Sequence, residues 1–199
     1  MKLIVGLGNA DARYAGTRHN VGMEIVREVA RRHHAGFSHS VSRSGEADAV
    51  AVYADWKTPE GVVRLLCPCT MMNASGDALH AAGRWRIAPA ATLIVCDEAN
   101  LPVGRLRLRS GGRDGGHHGL ASCLEALGTP EAPRLRIGVG RDPLPKDLTD
   151  FVLSPFEPDE QPVVRQTIQR AVEACEIWAT EGLPVAMNRV NAPQQGGER

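Results

Sequence analysis

The segment Ala91 to Cys96, Ala-Thr-Leu-Ile-Val-Cys, is apolar on both of its alternating faces. A strand of that kind leaves no face for water, so it lies between two layers of helices. It ends at Asp97, which puts a carboxylate at the mouth of a buried strand.

The flanking sequence supplies strands and helices in alternation. Lys2 to Gly6 is a short apolar run closed by glycine, and Val21, Ile25, Val26 and Val29 repeat at helical spacing after an irregular stretch from Leu7 to Arg18. Ala47 to Trp56 and Gly61 to Cys67 read as a hairpin turned by Lys57-Thr58-Pro59-Glu60. Asn73 to Arg86 reads as a helix, Arg105 to Arg109 as a strand, His117 to Leu127 as a helix and Arg134 to Val139 as a strand. Val163, Val164, Ile168, Ala171, Val172, Cys175 and Trp178 trace one face of a helix between Asp159 and Thr180. The pattern predicts one α/β domain over residues 1–190, with a mixed, mostly parallel central sheet covered by helices on both faces. A polar, flexible tail is expected over 191–199.

At 199 residues one such domain accounts for the chain. Lys plus Arg and Asp plus Glu number 23 each, so a chain-wide basic field is excluded and any anion site must be local. No apolar stretch approaches the roughly 20 residues that cross a bilayer. Lys2 to Gly6 reaches glycine too soon for a signal-peptide core, and a cytoplasmic location is expected. The five cysteines form no C-x-x-C pair and are expected to be reduced thiols, mostly in the core.

Gly6-Leu7-Gly8 begins like a dinucleotide loop, but Asp11 stands at the third glycine and no helix follows at once, so nucleotide binding is rejected. Phosphate-loop, zinc-protease and nucleophile-elbow motifs are absent, and adjacent His117 and His118 lack a partner at metal-ligand spacing, so no metal is expected. What remains is a set of polar residues at strand ends and helix starts, where open sheets build ligand crevices. His19 and Asp97 could form an imidazole base with its orienting carboxylate. Asn9, Asn20 and Asn73 could hold a substrate carbonyl or an attacking water. On the residues alone the plainer reading is favoured, with His19 at the start of a helix and Asp97 as a turn cap, and Asn73 fits a helix cap as well as a substrate contact. His33, His34, His39 and His80 are expected to face solvent. Arg105, Arg107 and Arg109 recur about 6.6 Å apart along one side of their strand, as a phosphate rail would, yet any half-exposed strand alternates this way.

Larger motifs decide between these readings. Gly6-Leu7-Gly8-Asn9 with Tyr14 and Thr17-Arg18-His19-Asn20, then Pro68 with Thr70 to Gly76, then Asp97-Glu98 with Leu101-Pro102 and Gly104 occur in order. Gly115-Gly116-His117-His118-Gly119-Leu120, Arg134 to Gly140 and Phe151-Val152-Leu153 complete the series. Together they strongly resemble bacterial peptidyl-tRNA hydrolases over almost the whole chain. The resemblance implies a monomeric single-domain enzyme without metal or cofactor. It would hydrolyse the ester between a peptide and the 3′ ribose of tRNA. His19 would be the general base and Asp97 its orienting partner, with Asn9 and Asn73 holding the peptide and ester end. Met72 would line the cleft, Tyr14 would lie near the tRNA terminus, and Arg109 and Arg136 would grip the 5′ phosphate. His118 stands where the family has a cleft asparagine that positions water or substrate. Ala10-Asp11, Met71 and Ala99-Asn100 are further departures, in loops or packing. The competing expectation is a noncatalytic RNA-binding protein on the same scaffold, against which the His19 and Asp97 pair argues.

Overall fold

Strand β1 (Lys2–Gly6) sends Leu3 and Val5 to one face of the sheet and Ile4 to the other, and all three are buried. Its two-residue period therefore feeds two cores at once. The computed structural model describes residues 1–43 and 48–192, and Ala47 and the expected tail from 193 onward lie outside the described residues. Among the described residues, seven strands form one sheet in the order β2-β3-β4-β1-β5-β7-β6. They are β1, β2 (His39–Ser42), β3 (Ala49–Thr58), β4 (Gly61–Pro68), β5 (Thr92–Pro102), β6 (Leu106–Arg109) and β7 (Arg134–Gly140). The centre β4-β1-β5-β7 is parallel. Both flanks are antiparallel, through the β2-β3-β4 meander and through β6 on β7. The sequence pattern anticipated one antiparallel excursion; the second arises because β6 folds back along β7.

Helices α1 (Val21–Arg32), α5 (Gln161–Thr180) and α6 (Leu183–Asn191) bury apolar faces against one side of the sheet. α2 (Gly76–Ala82) and α3 (His118–Leu127) cover the other. The short α4 (Leu148–Val152) lies between β7 and α5 in the chain. From β1 the chain passes through α1 toward β4 on one side of β1, and after β4 it passes through α2 to β5 on the other. β1 is therefore a topological switch point, and the crevice of an open sheet forms beyond the carboxyl ends of the strands there. Asn9 follows β1, Asn73 follows β4, and Asp97 lies in β5, all at that end.

Two glycines set how closely the layers approach. A Cβ on Gly22 would lie 2.3 Å from the Val95 carbonyl oxygen and 2.9 Å from that of Leu7, so α1 crosses directly over β1 and β5. A Cβ on Gly119 would lie 2.3 Å from the Met72 sulfur, so the start of α3 rests on the turn after β4. Gly22→Ala is expected to destabilise the fold by about 1–3 kcal/mol or more, because the blocking atoms are backbone. Urea unfolding would measure it, and an unchanged midpoint would contradict this account of the crossing.

Several expectations shift in detail. The expected helix over Asn73 to Arg86 is a 3₁₀ turn (Met72–Ala74), then α2, then a second 3₁₀ turn (Gly83–Trp85). His33 is only partly exposed: its ring stacks on Trp56 at 4.0 Å and Nε2 lies 2.8 Å from Glu176 Oε1. His34, His39 and His80 are exposed. Cys67, Cys96, Cys123 and Cys175 are buried free thiols and Cys69 is exposed. Burial pushes Cys67 and Cys123 up to about 12, so neither offers a thiolate near neutral pH.

Candidate active site

A buried carboxylate organises the crevice. Asp97, 3% exposed, sits in β5 beside Ile137 of β7 and receives an imidazole from each side. His19 comes from the 3₁₀ turn Arg18–Asn20 that leads into α1, and its Nδ1 lies 2.9 and 3.0 Å from the two Asp97 oxygens. His117 precedes α3, and its Nε2 lies 2.9 Å from Asp97 Oδ1. The two rings are 4.8 Å apart.

The hydrogen bonds assign the protons. His117 Nδ1 accepts from the Leu120 backbone N–H at 3.1 Å, so its ring proton is on Nε2 and donates to Asp97. Asp97, ionised, also accepts a hydrogen bond from His19 Nδ1–H. That leaves His19 Nε2 as the basic nitrogen, and His19 lines the cleft. Burial raises the Asp97 carboxyl, but the two imidazoles, His117 foremost, outweigh it and hold the group well below the usual carboxylate range. Burial lowers His117, and the Asp97 carboxylate more than offsets that, leaving it raised, although the Leu120 N–H occupies the nitrogen where a second proton would go.

His19, Asp97 and His117 bring donor atoms within 4.8 Å of one another, a grouping that sequence spacing did not reveal. Their chemistry is that of a hydrogen-bonded relay. A metal bound there would need the His117 proton moved to Nδ1, against the Leu120 N–H.

The Arg18–Asn20 turn is held firmly. Arg18, 1% exposed, ion-pairs with Glu160, donates to the Val139 carbonyl at 3.0 Å, and has its guanidinium 4.4 Å from the Phe151 ring and 4.8 Å from Phe156. Its backbone N–H donates to Ser154 O at 3.0 Å. The residue next to His19 is thereby tied to α4, whose Leu148, Thr149 and Val152 form one wall of the cleft.

The opposite wall carries the asparagines. Asn9 Oδ1 accepts from the Met72 N–H at 2.7 Å, which leaves its amide NH2 as the free donor. Asn20 does not line the cleft, contrary to expectation: its Oδ1 accepts from the Asn9 N–H at 2.8 Å and its Nδ2 donates to Asn9 O at 3.0 Å. Both its polar atoms clamp the backbone of Asn9. Asn9, Asn73, Met72, His118, His19 and Asp97 do line one cleft of about 420 Å³, with Met71 and Glu98. Asn73 and His118 are exposed within it.

The remaining expected residues lie elsewhere. Tyr14 belongs to the 3₁₀ turn Ala12–Tyr14, with the Arg13 guanidinium 4.9 Å from its ring. Arg109 is exposed at the end of edge strand β6, where it lines a cavity of about 240 Å³ with Arg105, Arg107 and Asn191. Arg136 ion-pairs with Glu98. Sequence reasoning missed His117 as an Asp97 partner, Glu98 as the partner of Arg136, and α4 as a cleft wall, although His117, Glu98 and Phe151-Val152-Leu153 each lie within the recurring motifs.

With this geometry in place, comparison with known proteins is decisive. Residues 3–197 match the family described as peptidyl-tRNA hydrolase. The chain belongs to the peptidyl-tRNA hydrolase family. It is 46% identical over 193 residues to the peptidyl-tRNA hydrolase of Symbiobacterium thermophilum, covering 96% of this chain and 98% of that protein. It is 42% identical over 201 residues to that of Roseiflexus castenholzii, covering 100% of this chain and 91% of the relative. The crystal structure of peptidyl-tRNA hydrolase from Acinetobacter baumannii superposes with a TM-score of 0.85 at 34% identity, covering 96% of this chain and 95% of that one. Membership makes the chain a hydrolase, and among the described residues no helix is long and apolar enough to cross a membrane.

Proposed function

We propose that this peptidyl-tRNA hydrolase family member cleaves its ester with His19 as general base and Asp97 as its orienting partner. The observation that carries this reading is the pinning of His19 Nδ1 on a buried carboxylate, which leaves Nε2 as the basic nitrogen of a residue lining the cleft. Nε2 takes a proton from water as the water oxygen attacks the acyl carbon of the peptide ester. Asp97 stabilises the imidazolium as it forms. The tetrahedral intermediate then collapses: the bond from acyl carbon to ribose 3′ oxygen breaks, and the imidazolium returns its proton to that oxygen. The products are a tRNA 3′ hydroxyl and a free peptide carboxylic acid, which gives its proton to solvent and leaves as the carboxylate.

The Asn9 amide is the donor nearest this chemistry in kind, since its oxygen is committed to Met72 and its NH2 is free for a carbonyl oxygen. Asn73 and His118 supply exposed polar groups for the peptide backbone and the CCA end, and Met72 an apolar one. Arg109, exposed on β6, takes the 5′ phosphate, for which a guanidinium fork is well shaped. Tyr14 sits on the path to the tRNA terminus. The chain acts as a cytoplasmic monomer without cofactor.

Incubation with N-acetyl-aminoacyl-tRNA should release the N-acetyl-amino acid. A noncatalytic RNA binder would instead hold the tRNA with salt-sensitive affinity and leave the ester intact from about pH 6 to about pH 8.5, across the range where imidazole titrates.

A further inference from the structure

The ester joins two long chains, and the sheet offers them different ways out. Arg109 and Arg136, which the family resemblance assigns to the tRNA 5′ phosphate, stand on β6 and β7 at one edge of the sheet. Asp97 holds His19 at β5, and Asn73 follows β4 on the far side of β1. With the tRNA arriving over β6 and β7, the peptide leaves over β4 toward the opposite edge, β2.

A groove leads that way. Met71, 44% exposed, and Asn73 line the cleft at the turn after β4, and α2 follows that turn almost at once. From there to Trp85 the chain buries Met72, Ser75, Leu79 and Ala82, which leaves Asn73, Asp77, His80 and Arg84 as a stripe on the other side. At a helical rise the stripe is about 16 Å long. An extended peptide covers that length in about five residues. Beside α2 runs β2, and between them lies an open groove of about 580 Å³ lined by Ser40, Ser42, Arg43, His80, Ala81 and Arg84. None of these is acidic, and Asp77 next to them lies 3.6 Å from Arg43. In a chain of zero net charge this is a local concentration of positive groups. β2 pairs with β3 alone, so the backbone N–H and C=O groups of its outer edge face an incoming extended chain.

We infer that the groove between β2 and α2 binds the peptide of the substrate upstream of the ester, and that it favours peptides carrying aspartate or glutamate there. Arg43, His80 and Arg84 supply the charge, and the open edge of β2 supplies backbone partners. The inference rests on the reading of the cleft as a peptidyl-tRNA ester site that the tRNA enters over β6 and β7.

The test compares kcat and KM on three tRNAs: one carrying N-acetyl-alanine, and two carrying peptides long enough to span the groove, rich in aspartate or in lysine upstream of a common C-terminal alanine. On wild type at low salt the aspartate-rich peptide should show a KM about five-fold below that of the lysine-rich one, as exposed charge pairs supply, and added salt should narrow the gap. The double variant His80→Glu with Arg84→Glu should abolish the preference. It should leave kcat and KM on N-acetyl-alanyl-tRNA unchanged, because a single residue ends short of the groove. Equal KM for the two long peptides on wild type would overturn the proposal. So would a double variant that binds uncharged tRNA and N-acetyl-alanyl-tRNA more weakly, which would make the patch an RNA contact.

A second readout needs no turnover and no variant. An analogue whose aspartate-rich peptide is joined to the tRNA by a 3′ amide, with a photoreactive residue about five positions upstream of the linkage, should label wild-type protein within β2 or α2. Labelling confined to α4, or none, would overturn the proposal. Absence of ester cleavage by wild type would instead count against the reading of function, and the label would still decide where the peptide lies.

Discussion

His19→Ala is expected to reduce kcat on N-acetyl-aminoacyl-tRNA by about 10²- to 10⁴-fold, the range that general base catalysis supplies. Its dissociation constant for tRNA should stay within about two-fold of wild type, a difference of less than 0.5 kcal/mol. The separation follows from where the imidazole lies. His19 Nδ1 is committed to Asp97, and its turn is held by Arg18 through Glu160 and the Phe151 and Phe156 rings. Losing the imidazole therefore removes a proton acceptor while the walls of the cleft keep their own supports. Active-site titration with labelled tRNA beside steady-state kinetics would measure both quantities. Weakened binding with unchanged turnover would show that His19 serves affinity and not chemistry.

Asp97→Asn should have an effect at least as large on turnover. An amide keeps one acceptor oxygen and puts an NH2 in place of the other, so with the oxygen held by His117 the NH2 faces His19 Nδ1, which must then accept; the His19 proton moves to Nε2, which ceases to be a base on the cleft side. In triad hydrolases the same exchange costs about 10⁴ in kcat while geometry is retained. The variant also has a signature in stability. The folded-state carboxyl is held below its unfolded value of about 3.9, so its contribution is fully present above that pH and is lost as pH falls through the folded-state value. Replacing it with an uncharged amide should flatten the acid limb of the urea-unfolding profile, between about pH 4 and about pH 2, relative to wild type. An acid limb of unchanged slope would mean that Asp97 is not the group held ionised by the two histidines.

The strands that were legible in the sequence are those whose burial is written in consecutive residues. Ala91 to Cys96 could only be a two-sided strand, and β5 indeed sends Leu93 and Val95 into one core and Ile94 and Cys96 into the other. It runs on through Asp97 to Pro102, because pairing with β7 continues beyond the apolar residues, to Pro102 opposite Gly140. β2 gave no such signal: His39-Ser40-Val41-Ser42 holds one apolar residue and pairs on one side only, at the sheet edge. α6 was invisible for a different reason. Pro184 stands in its first turn, where proline is compatible with a helix, but Gly182 and Pro184, one residue apart, read locally as a loop.

The site divides in the same way. His19, Asp97, Asn9 and Asn73 could be picked out because each stands at a strand end or helix start, and the topological switch at β1 brings those ends together. His117 could be seen at the start of its helix, but its bond to a carboxylate 20 residues away depends on how α3 lies against the sheet. Asn20 shows the reverse case. Its type and position suited substrate contact, and only the fold reveals that both its polar atoms are spent on the backbone of Asn9. The arginines of β6 kept the two-residue period expected of them, while Arg136, opposite Arg107 in the register, was drawn inward by Glu98, to which no sequence spacing points.

The most direct measurement is a single turnover of wild-type enzyme on N-acetyl-aminoacyl-tRNA in water enriched in ¹⁸O, with the released N-acetyl-amino acid analysed by mass spectrometry. Attack of an activated water at the acyl carbon predicts complete release of product carrying one heavy oxygen in its carboxylate, and release that fails in parallel with His19→Ala. An ester that stays intact on tightly bound tRNA, or wild-type cleavage that His19→Ala matches, would contradict the assignment of this cleft to base-catalysed ester hydrolysis.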